Sequence, residues 1–195
     1  MHKNRINTPF TPRRLTTNAI LVAIFFALSL FSVELGGVKL TFDSLPVVIA
    51  ATLFGPLDAF LVGLCGAFLE QMLRFGFTAT TLLWILPPAM RGLTAGFGLL
   101  ALRRAGNVRP RLAGYFLCCE AAAVVTSLLN TGVYYVDSKL YGYYAYALIF
   151  GALAMRLLTG LLSGALTAAA ALPVLAALKK AGLALRPARP EDHAG

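Results

Sequence analysis

Ala145–Leu178 reads AYALIFGALAMRLLTGLLSGALTAAAALPVLAAL, and Arg156 is its single charge. A helix rises about 1.5 Å per residue and needs about 20 apolar residues to cross roughly 30 Å of hydrocarbon. The run exceeds one straight crossing, so Pro173 is expected to bend it, or its end to lie along the membrane interface. Five more apolar runs precede it: Thr16–Leu35, Thr41–Phe54 with Pro46 inside, Leu57–Leu73, Leu82–Leu102 with a Pro87-Pro88 kink, and Leu112–Tyr135. Gly55-Pro56 is a turn signal, Arg74–Thr81 a loop, Arg103–Arg111 a basic loop and Val136–Tyr144 an aromatic loop. The expected fold is an all-α polytopic membrane protein with six transmembrane helices. One compact domain, 16–178, lies between basic tails at 1–15 and 179–195.

Composition supports that reading. Of 195 residues, 58% are hydrophobic and 13% charged, and mean hydropathy is +0.76. The charged share is about half that of a soluble domain. The net charge of +9 does not imply nucleic acid, because the basic residues fall in separate clusters between apolar runs. Lys3, Arg5, Arg13 and Arg14 form one cluster, Arg103, Arg104, Arg109 and Arg111 a second, and Lys179, Lys180, Arg186 and Arg189 a third. Against them the other side receives Lys39, Arg74 and Lys139. The positive-inside rule puts the first set, and both termini, in the cytoplasm. The first apolar run lacks a convincing cleavage site and is expected to remain as a helix. Cys65, Cys118 and Cys119 lie in apolar segments, without metal-ligand spacing, and read as buried, inert thiols.

Glu70, Arg91, Glu120 and Arg156 are charges at membrane depth, where an unpaired charge is costly. A structural ion pair of Glu120 with Arg91 or Arg156 is one reading. Arginines holding an anionic ligand group is the other. Six of the seven tyrosines, Tyr134, Tyr135, Tyr141, Tyr143, Tyr144 and Tyr146, surround the 5–6 connection, with Asn130, Asp137 and Lys139 nearby. Phe75, Phe77 and Trp84, the only tryptophan, lie on the same side. This is either an interfacial aromatic belt or a pocket that sandwiches a flat polar ring. Ala19, Ala23 and Ala27 make a smooth stripe on the first helix, for internal packing or for docking another membrane subunit. Gly160, Gly164 and Ala168 make a similar stripe on the last helix.

Catalytic patterns are absent. His2 and His193 are both terminal, and no Gly-rich phosphate loop exists, so the chain is expected to be neither an enzyme nor an ATP user and to hold no cofactor or metal. A transporter built this way needs an energised partner, or is a facilitator.

Phe42-Asp43-Ser44-Leu45-Pro46-Val47-Val48-Ile49-Ala50-Ala51-Thr52-Leu53-Phe54-Gly55-Pro56, followed by Val62-Gly63, resembles the S components of energy-coupling factor (ECF) vitamin transporters, particularly the folate-like group. Gly76-Phe77-Thr78 is similar to that group's entry to helix 4, and Ala19/Ala23/Ala27 to its docking motif. The chain has Ala67 where that group often carries an acid, and Glu70 one turn later. The resemblance implies an outward-facing vitamin site, folate-like first. Queuosine precursors, pantothenate, thiamine precursors and riboflavin are the alternatives. It also implies an ECF transmembrane coupling subunit and two ATPase subunits as partners, in the plasma membrane of a prokaryote. The candidate substrate contacts are Glu70, Arg74, Phe77, Trp84, Arg91, Asn130, Tyr134, Asp137, Lys139, Tyr143 and Arg156. A stand-alone facilitator or structural membrane protein is the competing reading.

Overall fold

The computed structural model describes residues 12–31, 33–35, 38–40, 42–104 and 112–180. The basic residues Lys3, Arg5, Arg109, Arg111, Arg186 and Arg189, and the side chains of Lys39 and Lys179, lie outside the described residues. Helices α1 (Pro12–Leu30), α2 (Ser44–Leu53), α3 (Pro56–Arg74), α4 (Thr81–Arg104), α5 (Leu112–Leu140) and α6 (Leu153–Lys180) pack as a bundle. A π-helical turn, Ala147–Gly151, precedes α6.

Five helices, all but α2, are long and apolar enough to cross a membrane. The protein is therefore an integral membrane protein. The second expected span, Thr41–Phe54, differs. At ten residues, α2 measures about 15 Å, half the hydrocarbon thickness. The end of the first expected span and the link after it instead form an antiparallel hairpin, β1 (Val33–Leu35) with β2 (Val38–Leu40), in which Val33 pairs with Leu40 and Leu35 with Val38. This hairpin is the one departure from helix among the described regular elements. Pro46 sits in the first turn of α2, where its missing N–H costs no hydrogen bond.

α2 is short because it is the centre of the core. Val47, Val48, Ile49, Ala50, Ala51 and Leu53 are all buried against α1, α3, α4 and α6. A helix apolar on every side belongs where every side is covered. Around it α3 and α4 pack closely: a Cβ on Gly63 would stand 2.5 Å from the Pro88 carbonyl oxygen. Glycine there lets two backbones touch.

The start of α1, the end of α2, the start of α3 and the end of α4 gather at one end of the bundle. Arg14 Nε donates to Asp58 Oδ1 at 2.8 Å, Asn18 Nδ2 donates to the same oxygen at 2.6 Å, and Arg103 Nη2 donates to the Thr52 carbonyl at 2.5 Å. Arg14 also lies over the Phe54 ring, 5.9 Å from its centroid.

At the opposite end, α5 runs one turn further than the loop expected from Val136. The N–H of Tyr143 returns to the Ser138 carbonyl at 3.1 Å, and Gly142 takes a left-handed φ of 76° between them. That glycine C-cap satisfies the last carbonyls of α5, so its last turn includes Asp137 and Lys139. Pro87 and Pro88 lie inside a continuous α4 and leave the carbonyls of Leu83 and Trp84 without their usual helical donors.

Candidate functional site

A cavity of about 790 Å³ opens between α3, α4, α5 and α6, with Phe25 of α1 and Asp43, Ser44 and Val47 at the start of α2 also lining it. Two rows build its long walls. Thr80, Trp84, Pro88 and Arg91 line it from α4 and the turn before it, and Thr126, Asn130, Tyr134 and Asp137 line it from α5. Both rows use spacings of three and four residues, so each lies on one helix face.

Contacts between the rows fix their register. Trp84 Nε1 donates to Asp137 Oδ1 at 3.4 Å, and the Trp84 ring stands edge-on to Tyr134 with centroids 4.8 Å apart. At the far end Arg91 Nε donates to Thr126 Oγ1 at 3.1 Å. From α6 the Arg156 guanidinium lies over the Tyr134 ring, 4.5 Å from its centroid, a cation–π geometry. From α3 Arg74 pairs with Glu70 at 3.3 Å and donates to the Ser29 carbonyl of α1 at 3.0 Å.

Asp137 is 8% exposed, and its second oxygen accepts the Tyr143 hydroxyl. The glycine cap of α5 turns the chain back and so makes that bond possible. Partial burial, and then the Asp137 carboxylate that its hydroxyl faces, push the Tyr143 phenol up to about 12. Tyr143 therefore stays protonated, a hydrogen-bond donor, at every physiological pH.

Nine of the eleven candidate contacts line this one cavity: Glu70, Arg74, Trp84, Arg91, Asn130, Tyr134, Asp137, Tyr143 and Arg156. Phe77 and Lys139 do not. Phe77 is 74% exposed in the 3–4 turn. Lys139 lies on the other side of α5, its Nζ 3.7 Å from the centroid of the Tyr144 ring. The tyrosines divide accordingly. Tyr134, Tyr141 and Tyr143 line the cavity, whereas Tyr135, Tyr144 and Tyr146 form an outer cluster with Phe150 and Lys139.

The expected ion pair at Glu120 is not formed. Among the described residues its two carboxylate oxygens have no hydrogen-bond partner, and they rest beside Gly164 where α5 meets α6. The thiols also divide, with Cys119 buried but Cys65 exposed on α3. Sequence reasoning missed the cavity hydroxyls Ser44, Thr80, Thr126 and Ser127. It also missed Asp58, which is fully buried and receives Arg14 and Asn18. The row of four on α5 was the available signal for Thr126.

Ala19, Ala23 and Ala27 all face away from the bundle, while Asn18, Leu21, Phe25 and Ser29 on the opposite face of α1 are buried. The alanine stripe does not serve internal packing.

The family model for the substrate-specific component of ECF transporters matches residues 13–175. The chain belongs to that family. The ECF fold extends to a solved structure, the S component of a bacterial ECF transporter, with a TM-score of 0.62 at 20% identity, covering 86% of this chain and 96% of that one. Comparison with curated proteins gives no match. Membership makes this chain a substrate-specific transporter subunit rather than an enzyme. It also implies association with ECF coupling and ATPase subunits.

Proposed function

We propose that this S component binds a vitamin or related heteroaromatic micronutrient, folate-like first, in the cavity between α3 and α6. With an ECF coupling subunit and two ATPase subunits it delivers that compound across the plasma membrane of a prokaryote. The observation that carries the reading is the convergence of Trp84, Tyr134, Asp137 and Tyr143 on one cavity of about 790 Å³. That volume is typical of a small-molecule site. Edge-on aromatics beside a carboxylate suit a flat ring with N–H donors. Glu70, Arg74, Asn130 and Arg156 complete the wall.

The cavity end of the bundle faces outward in this account. Arg13, Arg14, Arg103, Arg104 and Lys180, at helix ends remote from the 5–6 turn, then lie in the cytoplasm, as the positive-inside rule requires. The exposed stripe Ala19/Ala23/Ala27 is the docking face for the coupling subunit, since small side chains let membrane helices approach closely.

Equilibrium dialysis of the purified protein against a mixture of folate, riboflavin, thiamine, pantothenate and a queuosine precursor tests the reading. One compound should be retained at stoichiometric level, and Trp84→Ala should release it. Retention of none by folded protein contradicts the proposal.

A further inference from the structure

We infer that the ligand carries a carboxylate about 10 Å from its ring, and that Arg91 holds it at the end of the cavity remote from Asp137. The inference rests on the reading of this cavity as the ligand site. The two antiparallel rows give the cavity chemically opposite ends. At one end the Asp137 carboxylate accepts hydrogen bonds from Trp84 and Tyr143, so that end suits ligand donors and repels an anion. Seven residues along α4 from Trp84, about 10 Å of helix axis at about 1.5 Å per residue, stands Arg91.

Among the described residues Arg91 makes one hydrogen bond, from Nε to Thr126, and neither terminal nitrogen has an acceptor. Two charged groups, Asp43 and Glu120, lie within electrostatic reach of it, yet neither accepts a hydrogen bond from it among the described residues. The Glu120 oxygens are instead packed beside Gly164. Thr126 accepts from the Arg91 Nε, and Asp43, a carboxylate within electrostatic reach, lines the same cavity with Ser127 and Asn130. Paired terminal N–H groups in one plane match the two oxygens of a carboxylate. A guanidinium inside a membrane bundle marks a ligand pathway unless it is paired within the protein. Arg156, over Tyr134 between the two ends, adds positive charge along the same path.

The probes are pteroate, whose pterin ring and carboxylate have about this separation, its carboxamide, and the neutral or cationic rings riboflavin and thiamine. Binding is read by equilibrium dialysis to wild-type protein and to Arg91→Gln. Pteroate should bind wild type at least tenfold more tightly than its carboxamide, a ratio set by charge-assisted hydrogen bonds. Arg91→Gln should erase that difference. The acid–amide comparison on wild type stands even if the variant fails to fold. Equal binding of acid and amide, or saturable binding of riboflavin or thiamine unchanged by Arg91→Gln, overturns the inference and leaves the cavity as the ligand site. Binding of no probe by folded protein also overturns the inference, and the reading beneath it then falls only if pantothenate and a queuosine precursor are not retained either.

Discussion

Trp84 and Asp137, on facing helices, meet through an indole N–H to carboxylate contact of 3.4 Å at the wall of the cavity. The pair places an aromatic face and an acceptor side by side, and it ties the chain's only tryptophan to the site. Asp137→Asn should shift the emission of Trp84 in ligand-free protein and weaken ligand binding at least tenfold, because a charged acceptor is replaced by a neutral one. Steady-state fluorescence and dialysis read the two effects. Unchanged emission would mean that the two side chains do not touch.

Tyr143 gives a pH prediction. A free phenol titrates near 10, whereas Tyr143 is raised to about 12. A raised phenol favours the folded state while it stays protonated, fully below pH 10, and that contribution is lost as pH rises through about 12. At about pH 10.5, therefore, Tyr143→Phe should leave the tyrosinate absorbance of the protein unchanged. A drop equal to one ionised tyrosine would show that Asp137 does not hold the hydroxyl.

The alanine stripe separates binding from delivery. Ala23→Trp puts a large ring in the middle of the exposed face of α1 and touches no cavity residue. Ligand binding should match wild type. Uptake by vesicles reconstituted with the coupling subunit and ATPases should fall to background. Normal uptake would move the docking face elsewhere.

Arg14 and Asp58 should behave asymmetrically. Asp58 is fully buried, and Arg14 keeps 13% of its side chain exposed. Arg14→Ala leaves a buried carboxylate without its charge partner, Asn18 still donating to it, and should cost about 3 kcal/mol. Asp58→Ala leaves a guanidinium that can reach water, and should cost less. Thermal unfolding in detergent of both single variants and the double variant checks this. The reverse order would contradict the pairing.

Hydropathy made the membrane bundle legible, and the three- and four-residue spacings of Asn130, Tyr134 and Asp137 marked one helix face. The fate of Thr41–Phe54 was less legible. An apolar run of that length reads alike as a membrane span or as a helix buried within the protein, and only the neighbours around Val47 and Ala50 decide. Lys139 was misplaced because nearness in sequence to Asp137 says nothing about helix phase: two residues on, a side chain points to another face. Phe77 follows Gly76, whose φ is 73°, and it lies exposed in the turn between the cavity-lining Phe75 and Thr78. Asp58 gave no signal, since its partner Arg14 is 44 residues distant.

The central claim is that the cavity between the Trp84–Arg91 and Thr126–Asp137 rows binds the transported compound. Its most direct test is a titration of Trp84 fluorescence with folate, riboflavin, thiamine, pantothenate and a queuosine precursor, corrected for inner-filter absorption with free tryptophan. The account predicts saturable quenching by one compound, at least tenfold weaker in Asp137→Asn. Saturable binding by dialysis of a compound that leaves Trp84 emission unchanged would place the site elsewhere and contradict the account.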